Sequence, residues 1–268
     1  MEWGRIAASV SVVALLVAVG CKSDGWSFPK LSLGKSEASM SEAPAWNGNP
    51  LAKSDKNDSA SKKLTDAEYA SLLTQARGLE RSDKLDEARK LYRKLIDGRP
   101  DRYEAYQRLG VVADRQKRFL EAEGLYAEAI RLNPTEPDLF NDLGYCYLLQ
   151  GKLAKAESAL LKAVALKPSN ERYRNNLGLV YAYQGRDDKA LAQFRMVGSE
   201  ADALCNLAYV YSVKGDHERA QQCLELALRT DPYHEGARTA LAAYAEGYVP
   251  DAVDTLPPVY ADDGRPWR

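Results

Sequence analysis

An all-α fold of paired helices is what this sequence predicts, on two observations. Apolar residues recur at helical spacing in short runs: Leu143, Tyr147 and Leu148 share one face of a first run, and Ala156, Leu160, Ala163 and Val164 share one face of the next. Gly151 lies at the turn between them and Pro168 ends the pair. The pattern then repeats. Pro100, Pro134 and Pro168 stand 34 residues apart, and Pro232 follows after one interval of 34 and one of 30. A helix pair of this length cannot bury its apolar faces alone, so the pairs must stack on one another.

In order, the repeats begin near Tyr69, Tyr103, Pro137, Glu171 and Ala201. The twentieth position holds Ala88, Ala122, Ala156, Ala190 and Ala220, and four residues on stand Tyr92, Tyr126, Leu160, Phe194 and Leu224. Leu-Gly recurs at Leu109-Gly110, Leu143-Gly144 and Leu177-Gly178, with Leu207-Ala208 last; a residue without a side chain lets the second helix come close. This period and pattern resemble the tetratricopeptide repeat from Tyr69 to about His234. The resemblance implies an all-α solenoid, a right-handed superhelix of five helix-turn-helix repeats with a concave groove. Glu235 to Gly247, Ala-rich with Leu241 and Tyr244 available to pack, reads as the C-terminal capping helix over the last exposed face.

Local signals mark where first helices start. Thr65 and Glu68 have capping-box spacing, as do Asp101 and Glu104, while Thr135 with Asp138 and Ser199 with Asp202 are looser versions. Repeat four departs from the others: its second helix, near Asp187 to Val197, runs to Gly198 without a proline, and the next repeat arrives four residues early. That loss is about one turn at 3.6 residues per turn and keeps the apolar face in phase.

Outside the repeats the composition changes. Arg5 gives a thin basic start, opposed by Glu2, and Ile6 to Gly20 is an uncharged run, shorter than the about 20 apolar residues of a spanning helix. It reads as an export signal. Ala18-Val19-Gly20-Cys21 resembles a bacterial lipobox, which implies lipidation of Cys21; a signal anchor, or ordinary cleavage with Cys21 incidental, is the other reading. Lys22 after the cysteine points, by the same resemblance, to the outer membrane of a diderm envelope on its periplasmic side. Residues 22–63, rich in Ser, Lys, Asp, Asn, Ala and Pro, are too polar to offset their ordering entropy and read as a flexible tether with a reach of about 35 Å. At the other end, Pro250, Pro257, Pro258 and Pro266 with Tyr260 and Trp267 give a tail read as disordered, as a docking segment, or as an occupant of its own groove. The expected domains are a signal peptide over 1–20, a tether over 21–64, the repeat domain over 65–248 and the tail over 249–268.

Composition narrows the function. The chain is 45% hydrophobic and 28% charged, which is globular, and its net charge of −1 argues against nucleic acid as a partner. The two histidines, His217 and His234, sit at helix or turn edges, His217 in a solvated turn after Gly215-Asp216. There is no nucleophile elbow, phosphate loop or metal-spaced Cys/His set, so neither catalysis, metal nor cofactor is expected. Cys146, Cys205 and Cys223 read as small buried or half-buried thiols.

The family resemblance places first-helix positions 2, 5, 6, 9, 12 and 13 on the groove. Residue by residue this gives Gln107, Arg108 and Val111, then Asp138, Asn141, Asp142 and Tyr145, then Arg172, Asn175, Asn176, Leu179 and Tyr183, then Asp202, Cys205, Asn206 and Tyr209. A row of asparagines, each with an acceptor and two donors, can match the backbone of an extended segment, and Tyr145, Tyr183 and Tyr209 add apolar area with a polar handle. The alternative is that these asparagines bond locally. Leu73 and Arg77 stand where family members that grip a C-terminal carboxylate carry Lys and Asn, which argues against that ligand. The expectation is a membrane-tethered scaffold that binds a protein or peptide partner, similar in architecture to pilotin lipoproteins of type IV pili and the lipoprotein of tight-adherence pili. An accessory regulator of a cell-wall enzyme and a soluble adaptor are the other classes considered.

Overall fold

The computed structural model describes residues 63–245. The readings for the signal peptide, Cys21, the tether and the tail lie outside the described residues. Among those described there are eleven α-helices and no strand: α1 (Asp66–Arg81), α2 (Leu85–Gly98), α3 (Tyr103–Arg115), α4 (Phe119–Leu132), α5 (Pro137–Leu149), α6 (Leu153–Leu166), α7 (Glu171–Tyr183), α8 (Asp187–Phe194), α9 (Glu200–Val213), α10 (His217–Thr230) and α11 (Glu235–Ala245). They form two compact units divided within α7, after Asn176.

In the unit up to Asn176, α1 packs on α2, α3 on α4 and α5 on α6. The pairs are joined by α2 against α3 and α4 against α5, and α3 also touches α5. The register is the one the sequence predicts. Ala88, Ala122 and Ala156 are fully buried on the second helices, with Tyr92, Tyr126 and Leu160 buried four residues on. The glycines explain the close packing: a Cβ on Gly110 would lie 2.7 Å from the Tyr126 ring, and one on Gly144 would lie 2.6 Å from Leu160 Cγ.

In the unit from Leu177, α8 and α10 each pack on α9, and α11 packs on α10 and α9. Ala190 and Ala220 are fully buried there, and a Cβ on Gly178 would meet the Phe194 ring at 2.5 Å. The terminal helix covers the last face: Ala237 and Ala240 are buried against Ala201, Leu204, Ala208, Leu224 and Ala227, with Leu241 and Tyr244 packed at the edge.

Helix boundaries follow local chemistry, with corrections. Thr65 forms the full capping box, its Oγ1 accepting from Glu68 N at 3.2 Å while Glu68 Oε2 accepts from Thr65 N at 2.8 Å. Ser199 and Asp202, expected to be a looser version, are equally complete, at 3.1 and 2.9 Å. Asp101 does not cap: its carboxylate accepts two bonds from Arg99, and the residue before α3 is Arg102, whose side chain makes no capping bond. Thr135 does not cap either. Its hydroxyl turns back to Asn133, and Glu136 accepts from Asp138 N instead, with Pro137 opening α5.

The second helix of repeat four is shorter than expected. It ends at Phe194 and not at Val197, giving 8 residues where the other second helices have 14. Val197 N bonds back three residues to Phe194 O at 3.0 Å, so the chain leaves the helix through a tight turn. The Ser199 capping box starts α9 so soon afterwards that no room remains for a longer helix.

Candidate functional site

In the unit up to Asn176, the first-helix positions that the family resemblance assigned to a groove form a connected polar chain. Gln107 Nε2 donates to Asp142 Oδ2 at 2.7 Å, Asn141 Nδ2 donates to Asp142 Oδ1 at 3.2 Å, and Asn176 Nδ2 donates to Asn141 Oδ1 at 2.8 Å. The carbonyl of one amide is thus the acceptor for the amide of the next repeat, 35 residues on. Asp142 sits at the centre, and burial raises its carboxyl above the ordinary range while Arg172 opposes the rise. Arg172 itself ion-pairs with Asp138, which also accepts from the Tyr173 hydroxyl.

Two residues stand apart from that chain. The carbonyl oxygen of Asn175 is buried without a hydrogen-bond partner, in a residue only 2% exposed. Arg108 is turned inward: its guanidinium forks onto Glu80, with Nε 3.1 Å from Oε2, and Tyr92 adds a hydroxyl to the same carboxylate at 2.6 Å. Tyr145 remains half-exposed at the surface of α5.

The unit from Leu177 carries Tyr183 and Asn206, both buried, and the half-exposed Tyr209. Asp202 joins two helix starts. One of its oxygens completes the Ser199 box, and the other accepts from His234 Nε2 at 3.1 Å. His234 Nδ1 in turn accepts the backbone N–H of Ala237 at 3.1 Å, which fixes the tautomer and caps α11. Cys205 Sγ lies 3.7 Å from the same nitrogen. His234 is therefore a structural cap that the turn-edge reading missed; its position three residues before Ala237, at the start of an Ala-rich run, is the signal.

His217 is a correction. It is not a solvated turn residue but half-buried, its ring 5.9 Å from that of Tyr244 and its Nδ1 out of contact with solvent. The reason is the terminal helix, which brings Tyr244 over the start of α10. Cys146 is a buried free thiol and Cys205 and Cys223 are half-buried ones. Burial pushes the Cys223 thiol up to about 11.

A fold of stacked helix pairs with this register defines a tetratricopeptide repeat protein. Among solved structures, PilF of Pseudomonas aeruginosa matches with 20% identity over 67% of this chain and 89% of its own, at a TM-score of 0.51. TTC0263 of Thermus thermophilus, described as a thermophilic TPR protein, matches with 21% identity over 66% and 99%, also at 0.51. YrrB, described as a TPR protein with an unusual peptide-binding site, is 28% identical over 63% and 89%, at a TM-score of 0.48. Comparison with curated proteins finds no match. The family model described as the cilia and flagella-associated protein 70 C-terminal domain matches residues 32–261, and the chain belongs to that family.

Proposed function

We propose that this chain is a non-enzymatic scaffold that binds an extended segment of a protein partner along its first-helix face. The observation that carries the reading is Asn175. Its carbonyl oxygen is buried and unpaired, immediately beside Asn176 and the amide chain through Asn141, and a buried acceptor without a donor costs about 1–3 kcal/mol. Turned outward about its side-chain torsions, that amide can take a backbone N–H from a bound segment, and half-exposed Tyr145 gives the segment an amphipathic surface to lie on. Arg108, Asp142 and Arg172 shape this face through their internal pairs. In the second unit, Asn206, Tyr183 and Tyr209 are the corresponding residues.

The location is part of the same reading. A lipid on Cys21 and a tether over 22–63 would hold the repeats near the periplasmic side of a bacterial outer membrane, where assembly of an envelope machine such as a pilus or secretion system is the task such an architecture serves. Support comes from the sequence of residues 1–63. Palmitate labelling of the intact chain and of Cys21→Ser tests it: label on both, or on neither, removes the lipid anchor.

Photo-crosslinking in intact cells tests the binding face. A photoreactive phenylalanine replacing Tyr145 should trap one dominant protein, and a probe at Leu120, a 72% exposed residue of α4, should not. Trapping from Leu120 with none from Tyr145 would move the function to the other face. Asn175→Ala should weaken the Tyr145 crosslink at least several-fold.

A further inference from the structure

The same position of the first helix in three successive repeats holds Glu80, Asp114 and Leu148, and 28 residues after each stand Arg108, Asp142 and Asn176. The first level is a neutralised pair. Glu80 is fully buried, Arg108 forks onto it, and the Tyr92 hydroxyl completes its shell. The second level keeps that frame with the cation replaced. Asp114 is 3% exposed and its Oδ2 accepts from the Tyr126 hydroxyl at 2.8 Å, Tyr126 being the repeat equivalent of Tyr92. Where Arg108 would be expected stands Asp142, a second acid, and Asp114 Oδ1 makes no hydrogen bond.

An ionised carboxylate in that place would have neutral donors, the Tyr126 hydroxyl and the Cys146 thiol, but no cation to balance it. The groups facing Asp114 from the packed helices are neutral or acidic: Tyr126 and Glu123 on α4, Asp142 and Cys146 on α5. Glu123 is itself paired with Lys152 at 2.6 Å. Asp142 faces Gln107 and Arg108 on α3, Asp138 on its own helix and Arg172 on α7, and Arg172 is already engaged by Asp138. Among the described residues, no cation reaches the unpaired oxygen.

We propose that Asp114 carries a proton in the folded protein, and that the junction of repeats two and three is a proton-operated latch, tight when Asp114 is neutral and loosened when it ionises. The proton replaces the missing arginine by removing the buried charge. Burial, with smaller contributions from Asp142 and Glu123, raises the Asp114 carboxyl to about 7, against the opposing effects of Cys146 and Tyr126. The sign follows from linkage. Below the ordinary carboxylate range both folded and unfolded chains hold the proton, so pH has no effect through this group. Between that range and about 7 only the folded chain holds it, so stability falls as pH rises; above about 7 the loss is complete.

The test is equilibrium unfolding of the full chain at pH 5.5, 7 and 8.5, with hydrogen-exchange protection factors across α3 to α5. For the wild type the folding equilibrium constant should fall by more than tenfold from pH 5.5 to 8.5, with protection lost first in these three helices. Asp114→Asn, neutral at every pH and still able to accept from Tyr126, should flatten most of that fall. Asp142→Arg, which places a guanidinium where Arg108 stands one repeat earlier, should hold Asp114 ionised and flatten it too. A carboxyl-carbon NMR titration of the wild-type chain decides even if a variant fails to fold. A midpoint for Asp114 near 7 supports the latch, while a midpoint below 5, or an Asp114→Asn profile that parallels the wild type, overturns it.

Discussion

Arg108 and Glu80 are locked together inside the first repeat junction: Arg108 Nε sits 3.1 Å from Glu80 Oε2, a second bond runs from the other arm of the guanidinium, and both side chains are almost wholly removed from solvent. Removing one partner of such a pair leaves an uncompensated buried charge and costs about 3–5 kcal/mol, whereas neutralising both often costs far less. Arg108→Met should therefore destabilise the chain strongly. Arg108→Met combined with Glu80→Gln, which keeps an acceptor for Tyr92, should recover at least half of that loss in urea unfolding. A double variant no more stable than Arg108→Met would mean that the loss comes from packing of the Arg108 stem rather than from charge.

The period and the small-residue positions were legible because they are requirements of packing. Ala156 and Gly144 can be read without a structure, since only small residues fit where two helix axes come closest. The destination of Arg108 was not legible from its own repeat. Its position is assigned to a groove by the family pattern, and the partner that pulls it inward, Glu80, lies one repeat earlier at a position where Asp114 and Leu148 follow. Comparing residues 28 apart across the repeat boundary would have shown the acid-arginine match, and also its absence at Asp114 and Asp142. The caps show the same limit: Asp101 has capping spacing, but Arg99 takes its carboxylate away from the helix start.

Those caps give a paired prediction. Ser199→Ala removes a complete capping box and should cost about 1 kcal/mol of stability. Thr135→Ala, at an equally suggestive sequence position, removes only a bond to Asn133 and should change stability by less than about 0.5 kcal/mol. Thermal unfolding of the two variants side by side checks the assignment, and equal losses would show that the hydroxyl of Thr135 caps in solution.

The turns inside the repeats predict a gain. Gly151, Gly185 and Gly215 take φ near +71 to +78°, a left-handed conformation open to glycine. Repeat two places Lys117 at the equivalent point with φ of +58°, so a residue with a Cβ carries the same conformation. Lys117→Gly should raise stability by up to about 1 kcal/mol, the relieved backbone strain being partly offset by the greater freedom of glycine in the unfolded chain. A lowered melting temperature would show that the Lys117 side chain makes a stabilising contact worth more than the strain.

Close approach within repeat three gives the most direct check of the register. Ala156 is fully buried on α6, and a Cβ added at Gly144 on α5 would stand 2.6 Å from Leu160 Cγ and 3.3 Å from the Leu160 backbone nitrogen. The side chain of Leu160 can rotate, but its backbone cannot move without shifting the helix. Gly144→Ala and Ala156→Leu should each therefore overpack the pair at a cost of about 1–3 kcal/mol. Leu161→Ala, one residue further along the same helix and 44% exposed, serves as the control and should cost less than either. Because neighbouring repeats share interfaces, hydrogen exchange should rise first in α5 and α6 and then spread to α4, which packs on α5. Unchanged melting of both overpacked variants would place a different pair of residues at the point where α5 and α6 meet.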